Sequence, residues 1–419
     1  MSTAEADPFF LNDEAGIAAG NWLRDQLDLF PDTLRWANGG IESSRFKVRA
    51  DLLRGAVRAA CLKDDAHDGD FHVCLGEKSI RLFASGEGVQ LWISLSRAQP
   101  DVPNRIFNFG LSRPLLKRLA DVAVGELDGQ IVQGPRGLGR DMLKARLGSA
   151  RLRLTPEPIE SFPELATAAV DTKSTKFDPQ RLQRSLRHAL TLISGSAKSQ
   201  IIRTRNGLTY AGGSDAVITV EDEGLNGVEL DINAMDARLL ARVLGRMRNG
   251  EASVWSDCQG YVFEDSLIKC RVNKANGPDL PVAEIQAARP DASFSLVAEE
   301  LWKFGTLATI VRPRYVTLDF VGRKSDQCQN GEPIKVAICA ATPGDPNACR
   351  STLSAWPREP VDTHRSIRLS GRAWLTAAAF ADHRTGVEWA LLKHGAILKM
   401  TATQQDTIVS VYVPEISID

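Results

Sequence analysis

The feature that most constrains this chain is an internal repeat of domain size within its 419 residues. Three segments open alike, with a short alternating strand, a polar helix start and an amphipathic helix, and they lie at 45–62, 176–193 and 293–310. The opening phenylalanines, Phe46, Phe177 and Phe294, are roughly 120 to 130 residues apart, which is too long for a solenoid repeat. The repeat therefore predicts three similar domains.

Each unit continues through short strands to a second strand and helix, and then to a closing series of strands. The second helices are predicted at 113–124, 234–247 and 372–383, and the closing strands at 129–154, 252–272 and 386–413. We predict an α+β fold with an N-terminal extension and three domains, at 1–44, 45–166, 167–286 and 287–419. Strand–helix alternation also occurs in unrelated α+β proteins, so periodicity alone leaves a chance similarity of the units open.

The segment 323–362 stretches the middle of the third unit. It contains Pro and Gly and shows little periodicity, which is typical of a surface loop. We therefore predict that this segment is an insertion outside the sheets.

Composition limits the possible classes of protein. Hydrophobic residues make up 43% and charged residues 25% of the chain, the balance of a soluble globular protein. The apolar runs fall short of the roughly 20 residues that cross a bilayer, and the N-terminus lacks a secretory signal, so a cytoplasmic location without membrane contact is expected. The formal net charge of −1 requires any nucleic-acid surface to be local.

The sequence offers little material for a catalytic or metal site. Its seven cysteines are scattered without zinc or redox spacing, and no Gly-rich phosphate loop or nucleophile elbow is present. The cluster from Asp64 to Asp70, with His67, fits a solvated loop better than a metal site. We predict a non-catalytic protein without metal or cofactor, and an enzyme is the alternative class.

Positive charge is concentrated on the outward faces of the helices. At 179–193, arginines recur every three residues opposite Leu182 and Leu186, and at 234–247 they recur every four residues. Rows of Arg without a base-reading motif suit phosphate contacts, which bind DNA of any sequence. The predicted DNA-binding residues are Arg54, Arg58, Arg113, Lys117, Arg118, Arg181, Arg184, Arg187, Arg238, Arg242, Arg246, Arg312 and Arg372. The alternative is that these arginines pair with acidic neighbours across domain interfaces.

Three such units with arginine-bearing helices resemble the bacterial DNA polymerase III beta subunit, the replicative sliding clamp. The similarity covers about 45–419 and is clearest at 177–193 and 228–280. It implies the DNA clamp fold, with two helices packed on antiparallel sheets in each of three domains. It also implies a homodimeric ring around double-stranded DNA, opened by a clamp loader, that confers processivity on a DNA polymerase in replication or repair.

The resemblance also implies a cleft between the second and third domains where partners bind. Positions that match its apolar wall are Val217, Pro281, Val411, Val413 and Pro414. Two departures are evident. The stretch 212–217 lacks the His and Arg of the family's cleft rim, and Val413-Pro414 is followed by five further residues.

The N-terminal extension contains Gln26, Leu27, Asp28, Leu29 and Phe30, which resembles the peptide by which partners bind a sliding clamp. A few Leu and Phe anchors on a flexible segment can carry most of a modest affinity. The alternative is an amphipathic helix at 15–29 that packs on the protein body. As a binding peptide, the segment would act on this chain's own cleft, as an autoinhibitor, or on a separate ordinary clamp, as a regulator.

Overall fold

The structure, a computed structural model, describes much of the chain from Ser43 onward. The described residues are 43–51, 53–54, 57, 70–75, 79–85, 88–96, 107–122, 125–132, 142–147, 150–154, 156–159, 161–163, 173–193, 200–213, 215–248, 250, 252–320, 333–358, 365–380, 387–392, 397–404 and 406–416. They form two compact units, one of residues up to Ala84 with Ile93–Glu164, the other of Ser85–Trp92 with Leu165–Asp419. The predicted clamp-binding peptide at 26–30 lies outside the described residues.

The first unit contains two groups of antiparallel strands and a helix. Its elements are β1 (Ser43–Arg49), β2 (Asp70–Leu75), β3 (Ser79–Ser85), β4 (Val89–Ser96), β5 (Phe107–Ser112), α1 (Arg113–Val122), β6 (Glu126–Val132), β7 (Met142–Leu147), β8 (Ala150–Leu154) and β9 (Glu157–Pro158). One sheet has the order β1-β6-β7-β8, and β3, β2, β5 and β9 are neighbours in another. Helical residues follow β1 from Ala50.

The second unit opens with two helices and eight strands. They are β10 (Thr175–Lys176), α2 (Pro179–Thr191), β11 (Ile201–Arg205), β12 (Leu208–Gly212), β13 (Val217–Glu221), β14 (Leu230–Asn233), α3 (Ala234–Leu244), β15 (Ser253–Ser256), β16 (Gly260–Glu264) and β17 (Ile268–Asn273), with a 3-10 turn at Glu223–Leu225. Asn206 and Gly207 both have positive φ and close the β11–β12 hairpin, as an Asn-Gly pair favours.

The remainder of the second unit contains eight strands and three helices. They are α4 (Val282–Ala287), β18 (Pro290–Leu296), α5 (Ala298–Val311), β19 (Tyr315–Phe320), β20 (Ile334–Ala341), β21 (Ala348–Pro357), β22 (Arg365–Ser370), α6 (Gly371–Ala378), β23 (Val387–Leu392), β24 (Ile397–Gln404) and β25 (Thr407–Pro414). Strand β13 pairs with β25, so that twelve strands form one sheet in the order β14-β11-β12-β13-β25-β24-β23-β18-β21-β20-β19-β22.

Alternation along these strands places the core on one face of the sheet. Ile218 and Val220 on β13 and Val411 and Val413 on β25 are fully or almost fully buried. Successive strand residues point to opposite faces, so Val217 and Glu221 lie on the other, less buried face. The sheet therefore joins the predicted second and third domains through a shared core.

The predicted order of helices and closing strands is confirmed where the structure describes them, except in the segment 323–362. The helix predicted from Pro179 begins there, and those predicted from Arg113, Ala234 and Ala298 also begin at those residues. The three closing series of strands appear as β6–β8, β15–β17 and β23–β25. Each unit of the repeat therefore follows the strand and helix order that its sequence predicts.

The prediction of a surface insertion at 323–362 is wrong for its described part. Ile334–Ala341 and Ala348–Pro357 form the long strands β20 and β21, paired with each other over eight residues. Along β20, Ile334, Val336, Ile338 and Ala340 are buried and the residues between them are not, which is the period of a half-buried strand. Small residues and the flanking Pro and Gly concealed this alternation in the sequence.

Candidate nucleic-acid interface and partner surfaces

Helix α2 begins where its sequence provides a cap. Oδ1 of Asp178 accepts hydrogen bonds from the backbone N–H groups of Gln180, at 2.8 Å, and Arg181, at 3.4 Å. Pro179 occupies the first turn, where the missing N–H costs nothing. Leu182 and Leu186 are fully buried, so the opposite face of the helix is left to its arginines.

Helix α3 lies beside α2 and is held to it by two side chains. Nε2 of Gln183 donates to the carbonyl of Ala241 at 2.6 Å, and the guanidinium of Arg238 donates to the carbonyl of Ile193 at 3.3 Å. The apolar face of α3 is buried, as predicted, through Leu239, Leu240, Val243 and Leu244. The two helices therefore form one fixed surface.

Several predicted DNA-binding arginines are exposed on this surface. Arg187, Arg242 and Arg246 are exposed, and Arg184 is partly exposed. Within the part of the chain that the structure describes, Arg184, Arg187 and Arg246 form no ion pair. Uncompensated guanidinium groups on neighbouring helices create a local positive field despite the neutral total charge.

Arg181 occupies a different environment from the other arginines of α2. Its guanidinium contacts the carboxylates of Asp222 at 2.8 Å and Asp406 at 3.1 Å, and Asp178 lies 3.9 Å away. Asp222 is buried, and these carboxylates raise the pKa of Arg181, chiefly through the hydrogen bond to Asp222. For Arg181, this geometry favours the alternative in which the arginine pairs across a domain junction.

The remaining predicted DNA-binding residues are divided between the two units. In the first unit, Lys117 and Arg118 on α1 are exposed, Arg113 begins α1, and Nε of Arg54 donates to the carbonyl of Ala120 at 3.2 Å. Arg58 lies outside the described residues. In the second unit Arg312 and Arg372 are exposed, and Arg312 ends α5 in the left-handed conformation.

Three of the predicted cleft residues, Val217, Val411 and Val413, lie at the β13–β25 junction, but their exposure differs. Val217 pairs with Tyr412 and is partly exposed, whereas Val411 and Val413 are buried in the core of the sheet. Pro281, before α4, and Pro414, at the end of β25, are exposed. These residues are therefore not equally available to a ligand in this conformation.

The rim of the predicted cleft is bridged by two polar side chains. The hydroxyl of Ser370, which also caps α6, lies 2.9 Å from the carboxylate of Asp215, in the loop where the related family carries His and Arg. The chain beyond Pro414 continues along β22, because Ile416 donates its N–H to the carbonyl of Arg368. The contact between Asp215 and Ser370 joins the second and third predicted domains, whereas the contact between Ile416 and Arg368 lies within the third.

One surface that the sequence pattern did not reveal is the outward face of α5. Among the described residues only six large hydrophobic side chains are exposed, and three of them, Trp302, Leu307 and Ile310, lie on this helix. Ile310 is 78% and Leu307 55% exposed. Exposed apolar residues clustered on one helix indicate a protein contact. Their spacing of three to five residues was the available signal.

Two strands present unpaired edges near the ends of the repeat. β8 is the last strand of its four-stranded sheet, as far as the described residues show. β21 pairs with β18 only over Ala355–Pro357, and the N–H of Ser354 donates to Oε2 of Glu300 at 2.7 Å, so residues 348–353 have no strand partner on that side among the described residues. Open strand edges of this kind are templates for pairing with another chain.

Two further features concern the titratable side chains of the described residues. Burial lowers the pKa of His188, with a smaller effect from Arg184, and its ring contacts Phe380 with a centroid distance of 5.3 Å. The described cysteines are unpaired, and no group of three or more His, Cys, Asp or Glu in the described residues is arranged to hold a metal ion. No helix among the described residues is long and apolar enough to span a membrane.

Comparison with solved structures identifies the fold. A DNA polymerase sliding clamp from Pseudomonas aeruginosa superposes with a TM-score of 0.71 at 10% identity, covering 90% of this chain and 100% of the clamp. The beta subunit of DNA polymerase III from Thermotoga maritima and a DNA polymerase sliding clamp from Bacillus subtilis give TM-scores of 0.70, each at 10% identity with the same coverage. The predicted DNA clamp fold is confirmed, and its sequence is highly divergent.

The sequence matches no protein-family model and no curated protein sequence.

Proposed function

We propose that this chain is a DNA sliding clamp, a non-catalytic ring that encircles duplex DNA and tethers a polymerase or repair enzyme. The observation that carries the proposal is a group of arginines on α2 and just beyond α3, Arg184, Arg187 and Arg246, that form no ion pair among the described residues of a clamp fold. A fold alone does not specify function, so the proposal depends on this local positive charge as well as on the fold. Replication in the cytoplasm is the setting that this function implies.

The DNA contacts in this proposal are made to phosphates. Arg184, Arg187, Arg242 and Arg246 supply cationic groups on long side chains, which bind phosphate without reading bases. Lys117 and Arg118 on α1, together with Arg312 and Arg372, extend the positive surface to the other repeats. Contacts of this kind are salt-dependent and permit sliding along the duplex.

Ring closure in this proposal uses two copies of the chain. Inside one chain, β13 of the second repeat pairs with β25, the last strand of the third repeat. Among the described residues, the corresponding edges without a strand partner are residues 348–353 of β21 in the third repeat and β8, the last strand of the first. Pairing β21 of one copy with β8 of the other, over the apolar face of α5, would close a head-to-tail homodimer.

The experiment combines solution mass with retention on DNA. The protein is loaded at low salt onto nicked circular DNA or linear DNA of equal length, and its release after a salt jump is followed. We expect a dimer that stays on the circle and leaves the linear DNA by its ends. A monomer that leaves both DNAs at the same rate would contradict the proposal.

A second candidate function is a clamp-like regulator that uses residues 26–30. The observation that favours it is the limited exposure of the predicted cleft, where Val411 and Val413 are buried and Asp215 contacts Ser370. Such a protein would bind the cleft of an ordinary sliding clamp rather than offer its own.

The two functions differ in a pull-down with an ordinary bacterial clamp. Capture that is lost on Leu29→Ala with Phe30→Ala supports regulation in trans. Deletion of residues 1–44 tests autoinhibition, which requires that the truncated chain bind a cleft peptide more tightly than the full chain does. Unchanged affinity would exclude self-occupation.

A further inference from the structure

A groove of about 530 Å³ lies on the less buried face of the sheet, beside α4. Its floor includes Leu208 on β12 and Glu221 on β13, and one wall is formed by Val282 and Gln286 of α4. Its far end is closed by Asp222 and Glu223, in the turn after β13. The predicted cleft loop at 212–217 is at the opposite ends of β12 and β13, and the groove adjoins the predicted cleft at Leu280 and Val282, which flank Pro281.

The groove carries an excess of negative charge. Four carboxylates, those of Glu221, Asp222, Glu223 and Asp279, line it together with one guanidinium, that of Arg205. Arg205 is already engaged, because its Nη2 lies 3.0 and 2.9 Å from the two carboxylate oxygens of Asp231. The groove therefore attracts cations rather than DNA.

One carboxylate oxygen in the groove lacks a partner. Asp222 is only 1% exposed, and its Oδ1 accepts hydrogen bonds from Arg181 at 2.8 Å and from the N–H of Gly224 at 3.0 Å. Oδ2 of the same side chain has no hydrogen-bond donor among the described residues. A buried carboxylate oxygen without a donor is costly, and its uncompensated lone pairs add to the negative potential at this end of the groove.

Apolar side chains border the charged ones. Leu208 and Val282 line the groove, and Ile408, which is 39% exposed, lies opposite Glu221 in the β13–β25 pairing. A ligand that fits both features is a peptide segment with a basic side chain next to an aliphatic one. A metal ion fits less well, because no described carboxylates are grouped as metal ligands.

We propose that this acidic groove binds a basic segment of a partner protein, with arginine or lysine side chains paired to Glu221 and Glu223 and an aliphatic neighbour on Leu208. The chain's own N-terminal segment is not the occupant. Residues 1–42 contain eight Asp or Glu and two Arg, so the groove repels them.

The test uses the full chain and a fluorescein-labelled peptide, Gly-Leu-Arg-Leu-Arg-Gly, with a control peptide in which Gln replaces each Arg. The groove variant is Glu221→Gln with Glu223→Gln, which removes charge and keeps the acceptor for Gln286. The matched variant is Glu126→Gln with Asp319→Asn, which removes the same charge from exposed sites elsewhere. Binding is measured by fluorescence anisotropy, and the site is located by hydrogen exchange.

We expect the Arg peptide to bind and to protect residues 221–226 from exchange. Loss of two charged acceptors weakens this binding by about tenfold in the groove variant, whereas the matched variant binds as the parent does. Equal weakening in both variants, protection elsewhere, or equal binding of the Gln peptide would overturn the proposal. Retention on circular DNA is measured in parallel and stays unchanged, so this result is independent of the clamp function.

Discussion

Helices α2 and α5 open the second and third repeats, yet they present opposite chemistry to the surface. α2 buries Leu182 and Leu186 and exposes arginines, and its first turn contains no acidic residue. α5 has Glu299 and Glu300 in its first turn and exposes Trp302, Leu307 and Ile310. Lys303 on α5 pairs with Glu299 at 2.6 Å.

The difference shows how a repeat can keep its fold while its units diverge in function. The buried face of each helix is constrained by packing, whereas the outward face is free to change. On α2 that face suits a polyanion, and on α5 it suits another protein surface. In a ring built from repeats, one equivalent helix can therefore contact DNA while another helps to close the ring.

The substitutions with the largest expected effect disrupt the apolar face of α5. Replacing Leu307 and Ile310 by Glu is expected to weaken self-association by at least about 100-fold, because two aliphatic side chains contribute roughly 1.5 to 3 kcal/mol each when buried. Sedimentation equilibrium measures the dimer constant. Thr309→Glu, on the same helix, is the control for added charge. If the double variant dimerises like the parent, α5 is not part of the dimer interface.

The next largest effect is expected at Arg181, the arginine of α2 that forms ion pairs with Asp222 and Asp406. Arg181→Gln is expected to lower the free energy of unfolding by about 2 kcal/mol, because the buried carboxylate of Asp222 loses its cation. Denaturant unfolding measures the change. Arg187→Gln, at an exposed site on the same helix, is expected to change stability by less than about 0.5 kcal/mol. Equal effects would mean that Arg181 is not a structural ion pair.

The same contact can be tested from the other side. A Cβ added at Gly224 would lie 2.7 Å from Cδ of Arg181, so Gly224→Ala displaces the guanidinium without changing any charge. We expect destabilisation in the same direction as that of Arg181→Gln. If the alanine variant is as stable as the parent, the stability of the fold does not depend on the present position of the Arg181 guanidinium.

A smaller expected effect tests whether the surface formed by α2 and α3 binds DNA. Arg187→Gln with Arg246→Gln is expected to weaken binding to duplex DNA by about tenfold at low salt and to reduce the salt slope by about two. Fluorescence anisotropy across a salt series measures both. Lys274→Gln with Arg289→Gln removes the same charge from exposed sites off these helices. An identical loss in that control would indicate a net-charge effect.

The smallest effect is pH-dependent and involves His188 at the end of α2. Burial lowers the pKa of His188 in the folded chain, so below about pH 6.5 the unfolded chain binds the proton more readily. Stability is therefore complete above that pH and declines as pH falls toward the lowered pKa. Urea unfolding at pH 7.5 and 5.0 should show a smaller decline in His188→Gln than in the parent. The same decline in both proteins would show that His188 does not contribute to the pH dependence of stability.

Much of the fold was predictable because its signals are local. Asp178 before Pro179 predicted the start of α2, and the side chain does cap the helix. The arginine stripe of α2 followed from spacing alone, since Leu182 and Leu186 determine which face is buried. By contrast, β20 and β21 were missed, because Cys339, Ala340 and Ala341 weaken an alternation that only pairing with β19 makes evident.

The sequence by itself determined which residues could form each helix and strand, and which helix faces carry positive charge, because both depend on neighbours within a few positions. Only the tertiary structure decided that Arg181 is paired, that Val411 and Val413 are buried, and that Leu307 and Ile310 are exposed. Those outcomes depend on residues far away in the chain, such as Asp406 against Arg181. Long-range contacts of this kind decide which charges and apolar groups remain available for a partner.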